Sequence, residues 1–299
     1  MQHSESFRLP WVFTRAPEAP GPRTQSMSAD DAAVTIRDAL WGQPGAALVS
    51  RIGAVEGLAT YRFMNYGFIN PALRRQLVVN AGFYYSRRSE LQAFCELNCS
   101  ALKESSVVAF WDSKGQGELL DRLGATCPLV PLRSLEPFWP GGDWIRGGGV
   151  TRISVVSPFV ETMARQSPLL QEIHPRWNTA GLEFSFVRSP LTNGEYVRAT
   201  KDPSWMERVQ AMRDEVLAQR PELVLIGAGA YGLVLGELLR RDGLKVVIVG
   251  GALQLLFGIS GRRWTERAEY AALLNGSWVS PSKEECPRGF QSIEGGCYW

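Results

Sequence analysis

The run from Leu223 to Val249 constrains the fold most. Leu223-Val-Leu-Ile is a short apolar stretch without polar alternation. Gly227-Ala-Gly-Ala-Tyr-Gly follows, then helical spacing through Arg241 and a second apolar run from Lys245 to Val249. A strand that is apolar on both sides needs helices on both sides, which is the condition of a parallel sheet. Strand, glycine turn, helix and strand therefore form one βαβ unit.

The same alternation recurs along the chain. Apolar or β-branched runs at Ala46–Ile52, Ser106–Phe110, Leu129–Leu132, Arg152–Val156 and Leu182–Val187 predict five more strands. Helical spacing lies between them: Ser28–Asp31 offers N-caps for a helix through Leu40, and further helices are expected over 57–64, 89–100, 117–123, after Ser157 to Gln171, and over Trp205–Gln219. The stripe Met206, Val209, Met212 and Val216 belongs to a core face. The fold class is α/β, a mainly parallel Rossmann-like sheet flanked by helices. Residues 1–29, rich in Pro, Ser, Arg and Glu, read as a flexible leader; 30–299 form a single α/β domain, with any sub-division falling near 190–220. Phe138 to Gly149 holds two Trp and five Gly without periodicity and is expected to be a loop able to cover a site.

Charge excludes little but points away from nucleic acid. Lys and Arg number 32 and Asp and Glu 30, a net charge of +2, and Arg87-Arg88, Arg240-Arg241 and Arg262-Arg263 are isolated pairs. The five cysteines lack a disulfide or zinc spacing, and with only His3 and His174 in the chain no four-ligand zinc site is evident. The N-terminus has no apolar signal segment, and the longest apolar stretch, Val246 to Ile259, is too short for a transmembrane span. A cytoplasmic location is expected.

Three readings of the Gly227 turn stay open. Glycines let backbone N–H groups approach a phosphate at the positive end of a helix. A dinucleotide needs in addition an acidic residue ending the next strand, about 20 residues on, and Gly250-Gly251 stands there instead. In the third reading the small residues only let helix and strand pack. A second glycine turn, Gly250-Gly-Ala-Leu-Gln254, would lie beside the first at the carboxyl edge of the sheet. Arg262, Arg263 and Trp264 follow, suited to phosphate pairing and to stacking on a base or sugar.

Three blocks together resemble glycosyltransferases of the GT-D fold type and their GT-D-like relatives in bacterial polysaccharide loci. They are Ser50-Arg-Ile-Gly-Ala-Val-Glu-Gly; Pro131-Leu-Arg-Ser-Leu-Glu-Pro with Ser157-Pro-Phe-Val-Glu-Thr and Gln166; and Leu225 through Gly261-Arg-Arg-Trp to Trp278-Val-Ser-Pro and the terminal Glu294-Gly-Gly-Cys-Tyr-Trp. The resemblance covers residues 45–299. It implies transfer of a sugar from a nucleotide-sugar donor, often UDP-linked, to a glycan or lipid-linked acceptor, with a divalent Mn or Mg ion. A lipid-linked acceptor would bring the chain to the inner membrane face. In the family an Asp-x-Glu pair lies near the donor phosphates; here Ala54 replaces the Asp, so the metal expectation rests on Glu56 alone.

Glu56, Glu136 and Glu161 are the candidate bases, each just after an expected strand. Glu136 can instead pair with Arg133, and Glu161 can be an ordinary first-turn carboxylate. The donor-binding set is Arg51, Gly53, Arg133, Gly227, Gly229, Tyr231, Gly232, Gly250, Gly251, Gln254, Arg262, Arg263 and Trp264. Cys297 has no neighbouring His to make it a nucleophile, and Tyr298 and Trp299 are expected to dock onto the body and close the pocket. Two rival readings share the fold: a non-catalytic nucleotide or sugar-phosphate binding protein, motivated by Ala54, and a nicotinamide-dependent oxidoreductase, opposed by the missing acid at Gly250.

Overall fold

The structure, a computed structural model, describes residues 27–193 and 204–299. The expected leader lies almost wholly outside these residues; Ser28 already caps the first helix, its hydroxyl accepting the Asp31 N–H.

Seven strands form one all-parallel sheet in the order β3-β2-β1-β7-β6-β4-β5. They are β1 (Ala47–Ser50), β2 (Val107–Phe110), β3 (Leu129–Pro131), β4 (Arg152–Ser157), β5 (Glu183–Arg188), β6 (Leu223–Ile226) and β7 (Lys245–Ile248). All seven coincide with the apolar runs of the sequence. Helix α1 (Ala29–Trp41) precedes β1, and α2 (Ala54–Tyr66), α3 (Pro71–Gln76), α4 (Arg88–Lys103), α5 (Gln116–Leu123), α6 (Val160–Gln166) and α7 (Leu170–Ile173) lie in the connections of the first five strands. Helices α8 (Trp205–Gln219), α9 (Tyr231–Arg241), α10 (Leu253–Leu256), α11 (Arg262–Thr265) and α12 (Ala268–Ala271) complete the set. The turn of helix α3 and the π-helical turn after it, Leu77–Ala81, had no counterpart in the sequence reading.

Strand alternation divides the apolar side chains between two cores. Leu48, Val108, Val156, Val224, Ile226, Val246 and Ile248 face one side, where α2, α4, α8 and α9 pack. Val49, Ala109, Ile153, Val155, Leu223, Leu225, Val247 and Val249 face the other, covered by α1, α10 and the 138–149 segment. Gln219, near the end of α8, accepts from Ser154 on β4 and Ser185 on β5 at 2.6 Å each, tying that helix to the same sheet.

The 138–149 segment is not a cover. Trp144 is fully buried, its indole donates to the Ser134 carbonyl at 3.0 Å, and Gly147 and Gly148 press against Arg37 and Trp41 of α1. None of its residues lines the cleft at the carboxyl edge. The glycines there serve helix contact, which is why the segment shows no period of its own.

All five cysteines are free thiols, and burial pushes Cys95 well up and Cys99 up to about 12, so both are apolar fillers of the α4 face. Among the described residues no helix is long and apolar enough to cross a membrane.

Candidate functional site

Because every strand is parallel, the turns after β1, β2, β4, β6 and β7 all emerge at one edge. There they enclose a cleft of about 350 Å³. The chain leaves β1 for β2 on one side, while β7, arriving from the other half, is β1's opposite neighbour. This is the switch point at which open α/β sheets bind ligands.

The two glycine turns meet in this cleft. A Cβ on Gly227 would stand 2.7 Å from the Gly250 carbonyl oxygen and 2.9 Å from Leu253 Cβ, so only glycine lets the turns touch. Gly229 has φ 53° and lies under the Ala81 carbonyl; Gly250 has φ 73°, beneath Arg51. The Gly227 N–H is used by Val156 and the Ala230 N–H by Ala81. Among the described residues the N–H groups of Ala228 and Gly229 find no protein acceptor, and they sit on the cleft wall. Gly251 lines the same wall.

Arg51 follows the last residue of β1. Its guanidinium carbon is 5.4 Å from the Trp111 ring centroid, and a Cβ on Gly250 would stand 2.5 Å from its Nη1. It is half-buried and lines the cleft. Burial, the largest influence, holds it below the ordinary arginine range, opposed first by Glu56. Among the described residues it donates no hydrogen bond to protein and has no carboxylate within 4 Å. A desolvated cation without a bonded anion is costly unless a ligand supplies one.

Glu56 is the third residue of α2, whose N-cap is Gly53. Its carboxylate folds back over Gly53 so closely that a Cβ there would overlap it. Burial raises its pKa, with its own backbone N–H and then Arg51 opposing. It is thus a stronger base than a free glutamate, at the wall of the cleft.

Arg133 and Glu136 also line the cleft. Both Glu136 oxygens are taken: Trp139 Nε1 donates at 2.6 Å and the Tyr270 hydroxyl at 2.8 Å. Burial raises its pKa. The Arg133 guanidinium lies 3.8 Å from the Trp139 ring centroid and that of Arg267 4.8 Å from Tyr270. Glu136 therefore fixes Trp139 and Tyr270, the two rings that carry Arg133 and Arg267, instead of standing free as a base.

Arg263 enters the cleft and pairs with Glu294 at 2.9 Å and the Tyr298 hydroxyl at 2.6 Å. Trp264 is buried at the cleft edge with its ring centroid 5.0 Å from that of Tyr270. The terminal turn closes the cleft as expected: Ile293, Glu294, Tyr298 and Trp299 line it, and Trp299 Nε1 donates to the Glu285 carbonyl at 2.9 Å.

Compared with known proteins, the chain matches no family model, no curated protein and no solved structure.

Five expected site residues lie elsewhere. Glu161, in the first turn of α6, is half-exposed, pairs with Arg188 of β5 at 2.6 Å and does not line the cleft. Arg262 points outward, donating to the Gly295 carbonyl at 2.5 Å and pairing with Glu266 at 3.6 Å. Gln254 is buried behind the turn, where its amide donates to Ile259 at 3.1 Å and the Tyr298 carbonyl at 3.4 Å. It anchors the terminal segment and touches no cleft. Tyr231 is core: its ring stacks on Trp205 at 4.6 Å and its hydroxyl meets Thr192 at 3.0 Å. Gly232 packs the helix against Ile226 and Ile248.

Trp111, Arg267 and Tyr270 were missed. Trp111 directly follows β2, so the parallel sheet alone puts it at the carboxyl edge; Arg267 and Tyr270 are one helical turn apart, a spacing that signals a shared face.

For the divalent metal that the resemblance implies, Glu56 on the cleft wall is the expected protein ligand. Among the described residues no group of three His, Cys, Asp or Glu is placed to hold an ion. Ala54 brings no ligand, and Glu56 is folded onto its own helix end. Cys297 is half-buried with its thiol pushed up by burial, and its sulfur lies 3.8 Å from Glu294, an environment that disfavours a thiolate.

Proposed function

We propose that the cleft binds the diphosphate of a nucleotide-sugar donor, UDP-linked in the simplest case, and that the chain is a glycosyltransferase acting on a glycan or lipid-linked acceptor. The observation that carries this reading is Arg51: a desolvated guanidinium above two touching glycine turns, with no protein anion bonded to it. Arg51 and the free N–H groups of Ala228 and Gly229 would hold the phosphates, and Arg263 would add a second positive charge. Trp111, half-buried on the cleft wall, offers a face for the base or sugar. Glu56 would accept the proton of the acceptor hydroxyl as that oxygen bonds the anomeric carbon and the anomeric carbon–phosphate oxygen bond breaks, releasing the nucleoside diphosphate. Charge relief on the leaving group is assigned to the arginines.

A cytoplasmic protein, peripheral at the inner membrane face, fits a lipid-linked acceptor. One observation favours a second reading: Ala54 removes a carboxylate, as expected of a non-catalytic nucleotide-sugar binding protein. The dinucleotide reading lacks its acid, since β7 runs into Gly250-Gly251 under Arg51.

Thermal-shift measurements with UDP-, GDP- and TDP-sugars, with and without Mn²⁺ and beside NAD(H), separate these readings. The proposal expects stabilisation by a nucleotide sugar and slow release of nucleoside diphosphate. Glu56→Gln is expected to keep donor binding and lose release by about a hundredfold or more. Stabilisation without turnover supports the binding protein; a response to NAD(H) alone overturns both.

A further inference from the structure

Between Glu56 and Glu90 the chain holds Arg62, Arg74, Arg75, Arg87 and Arg88 and not one acidic residue, in a protein whose net charge is only +2. In sequence Arg87-Arg88 is an isolated pair. The fold gathers these arginines on the α2–α3–α4 connection, and all five are exposed. Among the described residues none has a carboxylate within 4 Å. Three lie instead over aromatic rings: Arg62 at 5.5 Å from Tyr66, Arg74 at 4.7 Å from Tyr85 and Arg88 at 5.8 Å from Phe63.

Large apolar groups stand among these cations. Phe68 is 65% exposed and Tyr66 56%, the two most exposed of the large hydrophobic side chains among the described residues. Phe68 is at the turn between α2 and α3, where Gly67 ends the first helix in a left-handed conformation and Asn70 caps the second. A groove beside them is lined by Leu58, Ile69 and Leu73 together with Arg62, Asn70, Gln76 and Lys114. The stretches outside the described residues carry no net negative charge. Residues 1–26 set Glu5 and Glu18 against Arg8, Arg15 and Arg23; residues 194–203 set Glu195 and Asp202 against Arg198 and Lys201.

We infer that this face docks on an anionic lipid surface, with Phe68 and Tyr66 entering the headgroup region and the arginines meeting lipid phosphates. Unpaired cations around a protruding aromatic pair are the pattern of interfacial binding, in which apolar burial and charge attraction add. Each half alone is weak, so adsorption should be reversible and salt-sensitive. A nucleic-acid face would also want arginines and exposed aromatics, so binding to an oligonucleotide is an outcome that the test below reads directly. The same run of chain passes through Asn80 and Ala81, on the wall of the glycine-turn cleft. The docking face is independent of whether sugar transfer occurs, so its test does not depend on that reading.

Co-sedimentation of the full chain with phosphatidylcholine vesicles, with and without 30% phosphatidylglycerol, tests it. At about 0.1 M salt, where the screening length is about 10 Å, binding is expected only to the anionic vesicles. Arg74→Glu/Arg75→Glu and Phe68→Ser are each expected to reduce it at least tenfold with melting temperatures within about 2 °C of wild type, since the side chains are exposed. Equal binding to neutral vesicles, no binding to either, or binding unaffected by both variants overturns the proposal. So does tighter binding to a single-stranded oligonucleotide than to anionic vesicles at the same salt.

Discussion

At the scale of residues, the buried polar groups divide into those satisfied by the fold and those left for a ligand. His174 is satisfied. It is buried, stacks on Phe138 at 4.5 Å, and its Nε2 faces the carbonyls of Leu255 and Leu256 at 3.0 and 3.2 Å, so that nitrogen carries the proton. Burial lowers its pKa to about 4 from an ordinary 6.5. The folded state therefore refuses a proton that the unfolded chain accepts, and stability falls as the pH drops from 6.5 towards 4. The loss approaches about 3 kcal/mol at the lower end of that window. Glu56 and Glu136, whose folded pKa values are raised, act in the opposite sense, since their burial cost shrinks on protonation. A His174→Gln variant, which keeps an amide donor but cannot titrate, isolates the histidine. Urea denaturation at pH 7 and pH 4.5 should show a smaller acid loss for the variant than for wild type; equal losses would mean that His174 is not buried neutral. Arg51 is the contrasting group, a cation that nothing in the fold satisfies.

At the scale of elements, the sheet was legible because each strand is an apolar, β-branched run short enough to be a strand and bounded by turn residues. Helix α3 and the π-helical turn were not: six residues of helix carry too little periodicity to register, and Val78 and Val79 resemble a strand. The glycine turns were legible as turns, and their meeting in one cleft followed from parallel topology. Which side chain faces the cleft was not legible, since neighbours on a helical turn diverge by about 100°. Arg263 thus enters while Arg262 leaves, and Tyr231 turns into the core one residue after Ala230 lines the wall. Glu161 failed for the same reason, with Phe159 taking the cleft position and Glu161 the solvent-side pair with Arg188. The glycine contact yields its own prediction. Gly227→Ala forces a methyl against Gly250 and Leu253, an overpacking expected to cost about 1–3 kcal/mol and to spread the turns. Gly276→Ala, with open space around it, is the matched control. Chemical denaturation should show the loss only in the first; similar stability in both would mean that the turns do not touch.

At the scale of the whole molecule, two halves of a parallel sheet converge on the β1–β7 seam and place their loops around one cleft, which the terminal turn closes. The arrangement sets a half-buried arginine in a site lined by backbone N–H groups, aromatic faces and a raised-pKa glutamate. That choice makes sense if an anion completes it. Calorimetric titration of UDP into the wild-type chain and into Arg51→Met therefore reaches the centre of the account. It predicts saturable binding to wild type, at least tenfold weaker binding to the variant, and no loss of melting temperature in the variant without ligand, because the removed cation had no bonded partner. Equal affinities, or a variant that melts well below wild type, would contradict it.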